Sequence, residues 1–447
     1  MKKFALPLAA TLLTLPLPAH ADASGHVAWD IVEGLTTEVG QRHAGTEAEA
    51  RARAWSVAKL KALGFSNVRI ETYRMPVWVR GDERAKLTAP YPQPLAITAL
   101  GNSGSTGPKG LKGTLVVFPT YEAFKAAPDE AIKGRIVYVG HAMKPTQDGS
   151  SYGYFGAVRR SGPNLAAKRG AAAFIIRSIG TDNHRNPHTG NTNWDEGVKP
   201  IPAAAVSNPD ANLIELAEAR APGRIEIELL LTPKFIGEQE SGNVIAEVPG
   251  SDPAAGVVLV GGHLDSWDLG TGAIDDGAGV AITAAAAKAI LDSGKQPRRT
   301  IRVIWWGSEE VGQFGGKSYW AAHRTEPHAF TAESDFGADR IWRFDVKLPG
   351  QAKALGDRLG VALSPLGIAA GAGLANGGAD NAMLVADGVP VIDLQQDGTR
   401  YFDIHHTPDD TLDKIDPVQL AQNVKAWTIM LDLVANAPED LLAGQKK

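Results

Sequence analysis

The residues able to do chemistry fall in five short stretches: His263-Leu264-Asp265, Asp275-Asp276-Gly277, Glu309-Glu310, Asp335 and His405-His406-Thr407. Imidazoles and clustered carboxylates are the donor set of a divalent metal centre. A spare carboxylate beside such a centre equips it to hydrolyse peptide or amide bonds with activated water. The chain has no cysteine, so it has no thiolate nucleophile, no sulfur ligand and no disulfide. A tight site must then be built from His, Asp and Glu. That points to zinc first, with cobalt or manganese as alternatives.

Each stretch also has a plainer use. In His263-x-Asp265 the imidazole binds a metal while the carboxylate orients its second nitrogen, but a hydrogen-bonded structural histidine fits the same pattern. Asp275 and Asp276 repel each other unless a cation lies between them, and Asp275 could bridge two ions. Either residue also suits capping the helix that follows Gly277. Glu309 and Glu310 end an apolar strand, where two carboxylates are costly unless paired or metal-bound. One of them can hold a metal while its neighbour takes a proton from water. Asp335 and the His405-His406 pair taken alone would pass for surface or structural residues. The ordered set is far harder to obtain by chance than any member.

The elements around these residues predict an α/β fold. Asn243–Val248, Gly256–Gly261, Thr300–Trp306 and Pro390–Leu394 read as strands, and residues 277–290 and 417–433 as helices. This alternation implies a three-layer α/β/α domain around a mixed, largely parallel sheet. His263 and Asp265 then sit at the carboxyl end of a strand, where open α/β sheets bind ligands. The intervening texture is dense in Gly and Pro with short strands and carries none of the candidate ligands. It reads as a β-rich insert over residues 99–235, with residues 22–98 and 236–447 forming the main domain. Length alone favours two domains.

The bulk properties exclude other classes. The chain is 44% hydrophobic and 21% charged, as in ordinary globular proteins. Its net charge is −5 with no basic run, which gives no electrostatic case for nucleic acid. No run of 18 apolar residues calls for a membrane span. Residues 1–21 read as a secretory leader: Lys2-Lys3, an apolar run broken by proline, and Ala19-His20-Ala21 as a cleavage site. The expected location is therefore the periplasm or the medium.

The motifs HLDSWDLGTGAIDDGAG, WWGSEEVGQFGG, ESD and FDIHHTPDDT occur in the order and spacing of the M28 family of co-catalytic zinc metallopeptidases, which this sequence resembles. It is most similar to the carboxypeptidase Q branch and its bacterial relatives, a likeness that includes Trp78–Glu83 and covers residues 26–436. The insert, with KGRIVYVG, AAKRGAAAFIIRS and PIPAAAVS, resembles a protease-associated domain. The resemblance implies two Zn2+ per chain, one held by His263, Asp275 and Asp335, the other by Asp275, Glu310 and His406. It implies Glu309 as general base, Asp265 as the partner of His263, and a cis peptide bond between Asp275 and Asp276. Some family members have a tyrosine before the last zinc-binding histidine, where it stabilises the oxyanion. Here that position is His405, which is expected to donate to the oxyanion.

Short peptides, above all dipeptides with free termini, are the implied substrates, and the branch implies a homodimer. Asp268 and Asp380 are candidates to read the amino terminus. No Arg or Lys can be placed as a carboxylate reader, and the loop Pro187–Gly190, with His188, is expected to cover the cleft. The competing readings are an aminopeptidase on longer peptides, a single-zinc glutaminyl cyclase-like transferase, and a binding protein without activity.

Overall fold

The computed structural model describes residues 23–445, so the expected leader lies outside the described residues. Two eight-stranded sheets organise the chain. In the first, the four central strands run parallel in the spatial order Thr300–Trp306, Val257–His263, His328–Glu333 and Val391–Gln396. Antiparallel strands flank them: Lys234–Val248 and Ser66–Val79 on one side, Ile341–Lys347 on the other. The sheet is therefore mixed with a parallel centre, as the strand–helix alternation predicts.

The central strands are buried on both faces, which is why they read as continuous apolar runs. Helix Ala278–Asp292 packs between the sheet and the helices Ala23–Gly34 and Pro417–Ala435. Its alanines leave room for that close approach, and nearly all of its residues are buried. Pro417 opens the last helix at a position needing no backbone donor, and Asp416 caps it by accepting from Val418 N (2.8 Å) and Gln419 N (3.3 Å). Asp416→Ala should cost about 1 kcal/mol of unfolding free energy, read from the urea midpoint at unchanged slope.

The second sheet follows the order Gln93–Leu95, Glu83–Ala89, Glu226–Leu231, Leu111–Phe118, Ile136–Val139, Ala173–Arg177, Ala203–Val206, Ile97–Ala99. Three of its strands begin before residue 99. The expected boundary at 98/99 thus moves back to about residue 83, because Glu83–Ala89 pairs with Glu226–Leu231 across the whole insert. Nor is this unit simply β-rich. Helices Ala157–Lys168 and Asn208–Arg220 cover its sheet, whose centre is parallel. One continuous apolar core joins the two units, running from Val258 and Val260 to Val139 and Phe174.

Candidate metal centre

Each parallel strand of the first sheet delivers a candidate ligand from its carboxyl end. His263 is the last residue of its strand, Glu309-Glu310 follows Trp306, Asp335 follows Glu333, and His405-His406 follows the short helix after Gln396. The structure brings all of them together around Asp275.

Asp275 Oδ1 lies 3.0 Å from His263 Nε2, which is also 3.5 Å from Asp335 Oδ1. Asp275 Oδ2 faces the other way, 3.3 Å from His406 Nε2 and 3.6 Å from His405 Nε2. His406 Nε2 is 2.9 Å from Glu310 Oε2. The donor atoms of His263, Asp275 and Asp335 lie within 4.8 Å of one another, as do those of Asp275, His405 and His406.

The neighbouring Asp276 has the capping role open to either aspartate. Its oxygens accept Gly279 N and His263 N, both at 3.0 Å, so it starts the helix and holds the strand end. This leaves Asp275 uncommitted to backbone. The Asp275–Asp276 peptide bond is cis.

The second nitrogen of each histidine faces a backbone carbonyl. His263 Nδ1 is 2.9 Å from the backbone carbonyl of Asp265, and His406 Nδ1 is 3.2 Å from the carbonyl of Thr189. With Nδ1–H on its carbonyl, His263 would present the Nε2 lone pair to the centre; His406 Nδ1 also has the Arg159 guanidinium at 3.3 Å. The Asp265 carboxylate lies 3.6 Å from His263 Nδ1, and its oxygens also accept Glu309 N (3.0 Å) and Glu310 N (3.3 Å). It reaches His263 mainly through its main chain and positions the two glutamates through its side chain.

The electrostatics suit a cation. Burial, reinforced by Asp335 and Glu310, pushes Glu309 up to about 8; burial and Asp275 push Glu310 up to about 7. Asp275 Oδ2 and Glu310 Oε1 are buried without a hydrogen bond of acceptable geometry. Carboxylates packed this closely against imidazole nitrogens fit divalent ions, whose charge favours the ionised carboxylates. His405 is different: burial, then His406, holds it well below the usual histidine range, so its ring is neutral. It stacks on His406 with ring centroids 3.5 Å apart.

Three sequence candidates are placed elsewhere. Asp268 is engaged bidentately by Arg80 (2.8 Å at its shortest) and does not line the cleft. His188 is buried with both nitrogens committed, to Asp182 Oδ1 and to the His405 carbonyl, each at 2.7 Å. The loop Pro187–Gly190 therefore braces the His405-His406 backbone, and Thr189 N adds a bond to His406 O (3.0 Å). Asp380 also stays out of the cleft, and its N–H holds Glu333 Oε2 at 3.1 Å.

The cleft beside the centre has a volume of about 530 Å³, the scale of a small-molecule site. It is lined by Glu309, Glu310, Asp335, His405 and His406, and by residues the sequence did not single out: Glu333 and Asp393 from the first unit, Tyr152, Arg159 and Arg160 from the second. Gln313 Nε2 donates to Glu309 Oε1 at 3.0 Å.

A further unforeseen residue is Arg42, fully buried. Its guanidinium binds the carbonyls of Gly40, Leu264, Thr271 and Gly272 at 2.6–3.0 Å, and its backbone N–H binds Ser266 Oγ. It thereby pins the segment joining His263 to Asp275. Asp410 closes the same segment, accepting Ala273 N and Ile274 N at 2.8 and 2.7 Å.

The family model for peptidase family M28 matches residues 243–430. Carboxypeptidase Q from Bos taurus is 33% identical over 411 residues, 91% of this chain and 85% of that protein. A crystal structure of a peptidase M28 precursor from Shewanella amazonensis SB2B is 47% identical, with TM-score 0.91 over 94% of this chain and 95% of the other. The zinc aminopeptidase BSAP of Bacillus subtilis, 19% identical, shares the fold with TM-score 0.64 over 94% of this chain and 97% of its own.

Proposed function

The chain belongs to peptidase family M28, and from that premise we propose that this metallo-exopeptidase cleaves short peptides, chiefly dipeptides with free termini, using water activated by two zinc ions. The observation that carries the reading is Asp275, whose two oxygens face the Nε2 atoms of His263 and His406 on opposite sides. One ion would be held by His263, Asp275 and Asp335, the other by Asp275, Glu310 and His406. Bound there, the zinc pair supplies Lewis acidity that polarises the scissile carbonyl and lowers the pKa of the attacking water.

The remaining steps belong to side chains. Glu309 takes the proton from the attacking water and passes it to the leaving amine. Gln313 and the Asp265-held backbone keep its carboxylate in place. Neutral His405, in the cleft wall, donates an N–H to the developing oxyanion. The small volume of the cleft supports short substrates. The second unit, which we read as protease-associated-like, closes one wall. The leader-like residues 1–21 support export.

A dipeptide library with matched tripeptides and amino-blocked dipeptides, run with zinc analysis, tests this. Free dipeptides should turn over fastest, with two zinc ions per chain. Preference for longer peptides would replace the reading with a general aminopeptidase, and an inert zinc-loaded protein would remove it.

A further inference from the structure

Helix Ala157–Lys168 of the second unit places two consecutive arginines, Arg159 and Arg160, in the wall of the cleft. Neither has a carboxylate within 4.0 Å among the described residues, although acidic groups line the same cleft. Arg159 is 4% exposed. Its Nη1 lies 3.3 Å from both Thr189 O and His406 Nδ1, its Nη2 donates to the Tyr152 hydroxyl, and its Nε has no partner. A buried guanidinium without a counter-charge is costly, and an anion placed beside it relieves that cost.

Arg160 is half-buried and packs on the Tyr152 ring, 5.6 Å from its centroid. One guanidinium nitrogen donates to Gly153 O at 2.9 Å, and the group also hydrogen-bonds the Tyr152 hydroxyl, with no carboxylate among its partners. Its backbone carbonyl is fixed by Asn193 N at 2.9 Å, which ties the arginine to the next segment of the wall. On the first unit's side the cleft carries Glu309, Glu333, Asp335 and Asp393. The one acidic residue on the arginines' side, Asp148, is engaged by the backbone of Ser150 at 3.1 Å. The cleft is thus electrically two-sided: carboxylates on one unit, unpaired guanidinium on the other.

We propose that Arg160, backed by the unneutralised charge of Arg159, binds the free α-carboxylate of the substrate's C-terminal residue. This rests on the peptidase reading above and adds to it the group that reads the C-terminal end. A planar guanidinium held only by neutral partners suits a carboxylate, which can accept two of its donors side by side. An amide in the same place offers one neutral oxygen and a donor pair that faces donors. The second unit is then part of the specificity apparatus, and unblocked C-terminal residues are the chemical class it selects.

The test compares kcat/KM for a dipeptide and its C-terminal amide, using the zinc-loaded full chain as wild type, Arg160→Gln and Arg160→Lys. The wild type should prefer the free acid by about 10- to 100-fold, the worth of a charge-assisted hydrogen bond. Arg160→Gln should bring the ratio to within about threefold of unity. Arg160→Lys should fall between, since it keeps the charge and loses the fork. Zinc content and Tm of each variant report whether the fold is intact. A wild type indifferent to the acid, or an Arg160→Gln enzyme that keeps the wild-type ratio, overturns the proposal while leaving the hydrolase in place. Calorimetry with an N-acetyl amino acid and its amide separates the two readings. Acid-selective binding that disappears in Arg160→Gln supports the carboxylate site even if no peptide is cleaved. Equal binding of acid and amide by the wild type refutes it.

Discussion

Glu309→Gln is expected to lower kcat by about 10²- to 10⁴-fold while KM and zinc content stay near those of the unaltered enzyme. The substitution keeps shape and the contact with Gln313, and it removes only the ability to take a proton. It leaves the candidate ligands Asp275, Glu310, Asp335, His263 and His406 untouched. The pH profile adds a second readout. Without cations, burial and then the neighbouring Asp335 and Glu310 hold Glu309 up to about 8. A base works only when ionised, so activity falls as pH falls through its pKa. Bound cations favour the carboxylate, which places the acid limb of kcat in the loaded enzyme below 8. In Glu309→Gln that limb should vanish with the activity. Retained turnover, or a lost zinc ion, would assign the proton transfer to another group.

Asp275→Asn is expected to do more damage by a different route. An amide offers one oxygen and a donor pair where two charged oxygens faced His263 and His406. Zinc per chain should drop by at least one equivalent, and kcat/KM should fall by about 10³-fold or more, roughly 4 kcal/mol of transition-state stabilisation. Plasma-emission metal analysis and steady-state kinetics on one preparation check both. Asp276→Asn is the informative neighbour. Asp276 holds two backbone N–H groups, so its loss should appear in Tm before it appears in metal content. A full zinc complement in Asp275→Asn would dismiss the shared bridge and leave two independent sites or one.

The ligand candidates were legible because polar residues at the ends of apolar strands are conspicuous: His263 after Val257–Gly262, Glu309 after Trp305-Trp306. The first sheet was legible for the same reason, since both-face burial writes itself as unbroken hydrophobicity. What the sequence hid depends on packing between distant segments. Arg159 and Arg160 look like the ordinary solvated face of a helix until the helix is seen against the cleft. Glu333 stood two residues from Asp335 but had no reason to be chosen over it. Asp268 looked available because nothing local reveals that Arg80 engages it. His188 lay in the segment expected to cover the cleft, but its ring serves the backbone of His405. The early start of the second unit was missed because strand pairing between Glu83–Ala89 and Glu226–Leu231 spans more than a hundred residues.

The hold of Arg42 on the segment between His263 and Asp275 bears on the order of events during synthesis. Domains fold from the amino-terminal end as the chain emerges. Arg42 is made more than two hundred residues before Leu264, Thr271 and Gly272, whose carbonyls it binds, and Asp410, which fastens the other end of that segment, follows later still. A nascent chain halted before residue 405 already contains His263, Asp275, Glu310 and Asp335, yet lacks both the paired histidines and the second fastening. The proposed centre is therefore incomplete until residues 405–410 have been made, and a product truncated before them carries only part of it.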